Sequence, residues 1–348
     1  MKLSIAIFIG TFVFLYSNNV HAIGKIVDQT NVQELEEDED VKSMTIEPLQ
    51  DALEEISAMN GVRAEGVCAD DPTTMGDKKK PNVSSICVQK YMKFYSKEKL
   101  DFRVVFGYAD DESVNEPVFD RAELSIFIQQ ITSKCEPNIF VCGFTRDEDD
   151  ATKFYKTVVD PLGNKHIVTL YATNASVSAS NKMNNGVLKE EQKLQTEKAD
   201  QLFFEGAKTA DALVYIGHAR DGGGPDFGPA VRLKNGAKDY HGYYRTKKPG
   251  LNRLLDALKE RKDGGPSFIA LAACSSRPHF YNSVKKVAPE SGFLLSTKTA
   301  LFSDVYAAAI GSLDSILGQR CQKEFKTAVE RPKSRDDNSV HLYDFFRK

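Results

Sequence analysis

Two short and wholly apolar runs constrain the fold of this 348-residue chain more than any other feature. The first covers residues 212–216 and the second residues 268–273, and a loop rich in small residues follows each of them. Parallel strands that are buried on both faces have this appearance, whereas half-exposed strands alternate apolar and polar residues. Helical patterns separate the predicted strands along the chain. The sequence therefore predicts an α/β fold with a mostly parallel sheet.

Each apolar run is followed by a side chain that can take part in nucleophilic catalysis. His218 lies in the glycine-rich loop after the first run, and Cys274 comes directly after the second run. Reacting groups of open α/β sheets lie at the carboxyl ends of the strands, so we expect both side chains at one edge of the sheet. A cysteine and a histidine brought together in this way form a nucleophile and its base. His218 and Cys274 are therefore the predicted catalytic residues.

The order and spacing of these residues resemble those of the clan CD cysteine peptidases, the superfamily of caspases, separases, gingipains and clostripain. In that superfamily an apolar strand ends in His-Gly and a later strand ends in Ala-Cys. Here the strands end in His218-Ala219 and Ala273-Cys274, and the histidine stands 56 positions before the cysteine, against about 50 in caspases. The caspase signature Gln-Ala-Cys-x-Gly is absent, and the Cys-Ser-Ser sequence is more similar to that of separases. The resemblance covers roughly residues 136–320.

The resemblance implies a caspase-like sheet flanked by helices on both faces, and a cysteine endopeptidase that works through an acyl-enzyme. His218 would take the thiol proton or hold it as an imidazolium, and the Cys274 thiolate would attack the peptide carbonyl. The backbone N–H groups of Ala219 and Cys274 would stabilise the oxyanion. Ala219 stands where the superfamily has glycine, and its N–H can serve as the donor if alanine tolerates the local backbone conformation.

The preferred substrate side chain is left open by the sequence. An arginine that follows the first strand binds an acidic substrate side chain in caspases, and Arg146 has a similar place in this chain, with Asp147 beside it. The acidic residues of this loop could instead favour basic substrates, as in gingipains, or bind calcium, or they could simply be solvated. Arg146 and Asp147 are the candidate substrate-binding residues, and we expect no metal or cofactor to be required.

Other interpretations of the two catalytic candidates remain open. The chain could be a catalytically inactive member of the same fold that acts as a binding or scaffold protein. It could also use the cysteine and histidine for a different acyl-transfer or amidase reaction. A third interpretation pairs Cys274 with Cys321 in a structural disulfide, and in that case the thiol is not free.

Several further residues could support or replace His218. Asp221 and Asp226 lie in the loop after it and are candidates to orient its ring. His241 precedes a glycine, as the superfamily histidine does, but no apolar run leads into it. Weaker candidates for a catalytic histidine are His166, His279 and His341.

The chain begins with the features of a secretory signal peptide. A basic residue, an apolar run over residues 3–16 and an A-x-A-like site at residues 20–22 follow one another. We therefore expect a secreted or periplasmic protein from which residues 1–22 are removed. No other run approaches the roughly 18 apolar residues of a membrane span. A net charge of −3 favours neither nucleic acid nor a membrane surface as a partner. The resemblance to cysteine peptidases implies a protein or peptide substrate.

The remainder of the chain divides into four predicted parts. They are an acidic, mobile segment (23–43), an N-terminal extension (44–118), a caspase-like α/β domain (119–330) and a C-terminal tail (331–348). The extension contains one predicted strand at residues 102–108. Within the α/β domain, residues 139–144 and 166–172 are predicted to form the first two strands of the sheet.

Six cysteines in an exported protein predict disulfides. Local spacing favours a bond between Cys68 and Cys87 and another between Cys135 and Cys142. The first bond would enclose a polar loop with three consecutive lysines, residues 78–80. Because such loops are preferred sites of proteolytic cleavage, this one is a candidate processing site.

Overall fold

The computed structural model describes residues 85–110, 117–263, 265–330 and 339–347. Its strands are β1 (Lys99–Phe106), β2 (Thr145–Arg146), β3 (Lys153–Val159), β4 (Lys165–Asn174), β5 (Ala212–Ile216), β6 (Phe268–Ala272), β7 (Gly292–Ser296) and β8 (Val340–Tyr343). Its α-helices are α1 (Ile86–Phe94), α2 (Asp120–Thr132), α3 (Asn181–Asn185), α4 (Lys189–Thr209), α5 (Pro249–Glu260), α6 (Ser276–Val287), α7 (Phe302–Leu317) and α8 (Gln322–Glu330). The predicted signal peptide, the acidic segment, Cys68 and the lysines at 78–80 lie outside the described residues.

The strands form one sheet in the order β2-β3-β4-β1-β5-β6-β7-β8. The five strands from β4 to β7 in this order are parallel to one another, and the pairs at the two margins are antiparallel. The predicted α/β class with a mostly parallel sheet is therefore confirmed.

Both central apolar runs are buried along their whole length, in β5 and β6. Val214 belongs to a hydrophobic cluster with side chains of α1, α2, α7 and α8, whereas Leu213 and Tyr215 belong to a second cluster with side chains of α4, α5 and α6. Successive side chains of a strand point to opposite sides of the sheet. Every residue of these strands therefore needs to be apolar, which explains the absence of alternation in the sequence.

The sheet extends beyond the predicted domain at both ends of the chain. β1 was expected in an N-terminal extension, but it lies in the middle of the sheet between β4 and β5. β8 was expected in the C-terminal tail, but it pairs with β7. The sheet therefore includes strands from both sides of the predicted α/β domain at residues 119–330. In a parallel sheet, crossovers separate strands that are adjacent in sequence, so the order along the chain does not give the order in the sheet.

The segment 139–144 was predicted to be the first strand of the domain and is not a strand. The N–H groups of Phe140 and Val141 donate to the carboxylate of Asp314 at 2.6 and 2.9 Å, instead of to a neighbouring strand. Asp314 lies on α7, so this segment is held by a buried helix. The apolar composition of this segment does not show whether its backbone N–H groups donate to a neighbouring strand or to a side chain.

Two disulfides are present among the described residues. Cys135 is bonded to Cys142, which confirms that prediction, but Cys87 is bonded to Cys321 instead of Cys68. Cys274 has a free thiol, so its predicted alternative bond to Cys321 is also wrong. The cause is the packing of α1 against α7 and the start of α8, which brings together cysteines separated by 234 positions.

Peptide mapping of the unreduced protein is expected to recover the Cys87–Cys321 and Cys135–Cys142 links. Iodoacetamide should label Cys274 in the folded protein without reductant, because this thiol is free and partly exposed. A cross-link that contains Cys274 would contradict the structure and would remove the proposed nucleophile.

Candidate functional site

The loops that carry His218 and Cys274 leave the same edge of the sheet. β5 and β6 are parallel neighbours, with Ile216 opposite Ala272, and the Gly217 N–H donates to the Ala272 carbonyl at 3.1 Å. His218 and Cys274 each lie two positions beyond this last pair. The structure therefore brings the two candidates to corresponding places on adjacent strands.

A buried tyrosine fixes the start of the His218 loop. The Tyr215 hydroxyl donates to the carbonyl of His218 at 2.9 Å and accepts from the N–H of Asp226 at 3.2 Å. A Cβ atom at Gly217 would lie 2.7 Å from this hydroxyl oxygen, and one at Gly107 would lie 2.5 Å from it. Both positions therefore require glycine, and the close approach of the two loops depends on it.

The chain adopts a rare backbone conformation after each candidate. Arg220 and Asp221 have φ angles of 47° and 51°, and Ser275 has a φ of 51°. The left-handed region costs an L residue about 1–2 kcal/mol, and such residues concentrate at functional sites where the surroundings hold them. Ser275 is held by its N–H, which donates to the Lys298 carbonyl at 2.8 Å. Left-handed residues therefore follow both candidates, although Asn138, Lys248, Gln319 and Asp344 elsewhere among the described residues also have positive φ angles.

A backbone carbonyl holds the His218 ring. Its Nε2 lies 2.7 Å from the carbonyl oxygen of Asp110, just beyond β1. A carbonyl can only accept a hydrogen bond, so Nε2 carries the hydrogen and the Nδ1 of the neutral ring keeps a lone pair. The ring is therefore held in a tautomer that can take a proton at Nδ1.

The two carboxylates predicted as candidate orienters are engaged elsewhere. Asp226 accepts from the guanidinium of Arg220 at 3.1 Å. Asp221 pairs with Arg245 at 2.6 Å, and its other oxygen lies 4.0 Å from Nε2 of His279. Neither carboxylate orients His218. The backbone carbonyl of Asp110, just beyond β1, holds the ring instead.

His218 has a low affinity for protons. Burial, and next the positive charge of Arg220, lower the pKa of its imidazole to about 4, with a smaller lowering from Lys238 and an opposing effect of Asp110. The ring is therefore neutral at pH 7 and free to act as a base. A resting imidazolium, one of the two forms predicted from the sequence, is not favoured by these surroundings.

The Cys274 thiol is partly exposed and free. Its Sγ lies 3.4 Å from the carbonyl oxygen of Ala300, and neither ring nitrogen of His218 is hydrogen-bonded to it. Catalytic hydrogen bonds are often long or absent without substrate and shorten in the reacting complex. The Cys274 thiol can reach its other staggered orientations by rotation about the Cα–Cβ bond.

The backbone N–H groups of Ala219 and Cys274, the two predicted oxyanion donors, have no hydrogen-bond acceptor among the described residues, and the same holds for the neighbouring N–H groups of His218 and Ala273. Ala219 has φ −71° and ψ −15°, an ordinary conformation for alanine. Alanine at position 219 therefore requires no backbone strain.

Arg146 and Asp147 lie far from this edge, and the structure does not bring them together with His218 and Cys274. Arg146 is in β2, four strands from β5, which corresponds to about 19 Å across the sheet. Its register through β3, β4 and β1 places it level with Ala212, at the opposite end of β5 from His218. Asp147 accepts from the Tyr155 hydroxyl at 2.6 Å. No group of three or more metal-ligating side chains that could hold an ion occurs in the described ranges.

The other described histidines occupy different surroundings. His279, in the first turn of α6, flanks the His218 loop, since a Cβ atom at Gly222 would lie 2.9 Å from its Nδ1. His241 is exposed on a π-helical turn, Tyr240–Arg245. His166 and His341 pair with Asp160 and Glu330 away from this loop, both at 3.3 Å.

Sequence reasoning missed a buried charged cluster beside His218. The Arg220 guanidinium has no solvent exposure and contacts the carboxylates of Asp110 and Asp226 at 2.5 and 3.1 Å. The Tyr244 hydroxyl donates to Asp226 at 3.0 Å, and Lys238 donates to the Asp110 carbonyl at 3.2 Å. An arginine in the loop after His218 was the visible signal. Asp110 was hidden because β1 had been placed outside the sheet.

Comparisons with protein-family models, with curated proteins and with solved structures found no match for this chain. Function is therefore inferred from the chemistry of the site. Within the part of the chain that the structure describes, no helix is long and apolar enough to cross a membrane.

Proposed function

We propose that this chain is a cysteine endopeptidase with a caspase-like fold, in which helices flank both faces of the sheet and His218 and Cys274 form the catalytic dyad. One observation supports this proposal above all others. A free thiol and a neutral imidazole follow adjacent parallel strands at corresponding positions, and the imidazole is fixed in the tautomer of a base.

The proposed reaction begins with proton transfer from the Cys274 thiol to Nδ1 of His218. Sγ forms a bond to the peptide carbonyl carbon, and the carbonyl electron pair moves to oxygen, where the N–H groups of Ala219 and Cys274 donate to it. The C–N bond then breaks as His218 returns its proton to the leaving amine. Water, deprotonated by His218, hydrolyses the thioester and restores the thiol.

We also propose that the protein is exported to the cell exterior or the periplasm and acts there on proteins or peptides. The two disulfides found among the described residues are compatible with an oxidising compartment. The signal-peptide pattern of residues 1–22 supports the same location.

The proposal is tested by incubating a mixture of unstructured peptides with the wild-type protein and with Cys274→Ala. Mass spectrometry should detect new peptide termini with the wild-type protein alone. Intact peptides together with ordinary thiol reactivity would indicate an inactive binding protein. Side-chain deamidation or acyl transfer without backbone cleavage would indicate the amidase or acyl-transfer reaction.

Ala219→Gly is expected to leave the rate of peptide hydrolysis unchanged, because Ala219 already has an unstrained backbone and keeps its N–H. The variant should lose about 0.5–1 kcal/mol of unfolding free energy, since glycine has more backbone freedom when unfolded. Initial rates and urea unfolding measure the two effects. A higher rate in the variant would show that alanine restricts the oxyanion loop.

A further inference from the structure

The loop after His218 returns to the strand end that holds the His218 ring. Asp110 accepts from His218 through its backbone carbonyl at 2.7 Å and from Arg220 through its carboxylate at 2.5 Å. The same Arg220 nitrogen also lies 3.2 Å from the carbonyl oxygen of Tyr108. Arg220 therefore contacts a side chain and a backbone carbonyl of the segment 108–110, which also contains the carbonyl that holds the His218 ring.

Arg220 is an unusual residue in both burial and backbone conformation. Its side chain has no exposure to solvent, and its φ of 47° lies in the left-handed region. A buried guanidinium is tolerated only with well-placed carboxylates and hydrogen bonds, and its planar fork allows it to hold several acceptors at fixed directions. Asp226 supplies one carboxylate, and Asp110 supplies the other.

The contact between Arg220 and the Asp110 carboxylate is the one that bears on His218. Asp226 already neutralises the charge of Arg220, and the Asp110 carboxylate lies 3.7 Å from both Lys238 and Arg232 as well. Asp110 is the residue whose carbonyl receives the Nε2–H of His218, so the ion pair restrains the acceptor of that hydrogen bond. Lys238 donates to the same carbonyl at 3.2 Å and adds to the restraint.

We propose that Arg220 is a positioning residue that fixes Asp110 and, through the Asp110 carbonyl, holds His218 in the orientation and tautomer needed to accept the Cys274 proton. This inference rests on the proposed function, because it assigns Arg220 to the same site. The charged groups that face His218 are Arg220, Lys238 and Asp110. Arg220 touches none of the reacting atoms, so its effect must pass through His218.

The test is nitrogen and proton NMR of the His218 ring in the full chain, across a pH titration. In the wild-type protein the Nε2–H tautomer should predominate, with a titration midpoint of about 4. Arg220→Gln removes the positive charge and should raise the midpoint by about 1 pH unit. Arg220→Lys keeps the charge but loses the planar guanidinium that holds several acceptors. Because Asp110 is then less restrained, exchange of the His218 Nε2 hydrogen should be about tenfold faster.

Tyr244→Phe is the matched control, because its hydroxyl contacts the same cluster at Asp226 and not at Asp110. It should leave the midpoint and the exchange rate of His218 unchanged. Circular dichroism identifies variants that fail to fold. If Arg220→Gln does not fold, Arg220→Lys alone tests the inference. Unchanged His218 behaviour in a folded Arg220 variant would overturn the inference, as would equal changes in Tyr244→Phe.

The outcomes separate this inference from the proposed function. If the Arg220 variants change the His218 ring but the wild-type protein cleaves no peptide, the positioning role stands and the peptidase proposal fails. If the wild-type protein cleaves peptides and the Arg220 variants do so equally with an unchanged ring, the peptidase proposal stands and the positioning role fails.

Discussion

His218→Gln is expected to lower kcat/KM for peptide hydrolysis by about 10² to 10⁴-fold, the usual contribution of a general base. Glutamine has no nitrogen that can take the thiol proton, but its amide N–H can still donate to the Asp110 carbonyl. The variant should therefore fold. Cys274→Ala should abolish hydrolysis, because Cys274 has the only free thiol among the described residues. Initial rates measure both effects on the peptides that the wild-type protein cleaves.

His241→Gln is the matched control for this experiment, because His241 is exposed on the π-helical turn and no apolar strand leads into it. It should cleave peptides at the wild-type rate. His279→Gln addresses the other histidine beside the loop. A large loss in His279→Gln with full activity in His218→Gln would assign the base to His279, and the proposed dyad would then be wrong.

The shared position of His218 and Cys274 at one edge of the sheet followed from the sequence because β5 and β6 are consecutive strands joined across one α-helix, α5. Such strands are usually neighbours in a parallel sheet, and an apolar run shows where each of them ends. The carboxyl ends then have to share an edge. Nothing about side-chain packing was needed for this step, which is why it could be made from the residues alone.

Asp110, the third residue discussed at this edge, could not be placed from the sequence in the same way. The strand at 102–108 was recognised, but its insertion between β4 and β5 depends on crossovers whose direction the sequence does not encode locally. Asp110 therefore went unnoticed, and Arg146 was given a site role on the assumption that 139–144 was a strand. The Cys87–Cys321 bond depends likewise on how α1 packs against the C-terminal helices.

Acidification is expected to destabilise the wild-type protein through His218, by about 3 kcal/mol between pH 6.5 and pH 4. The imidazole has a pKa of about 4 in the folded protein and an ordinary value of 6.5 when unfolded. Between these values the unfolded chain binds a proton that the folded protein does not, so the unfolding free energy falls as the pH falls. Above pH 6.5 the ring is neutral in both states and contributes nothing.

Carboxylates also titrate in this range, so the measurement compares two proteins rather than two pH values. Urea unfolding of the wild-type protein and of His218→Gln at pH 7, 5.5 and 4.5 gives the difference that belongs to His218, because glutamine does not titrate. The wild-type protein should lose more stability on acidification than the variant does. Its peptide hydrolysis should persist to about pH 5 and fall with a midpoint near 4, since the neutral ring is the base. Parallel stability curves, or a rate midpoint near 6.5, would show that the surroundings of His218 do not lower the pKa of its imidazole.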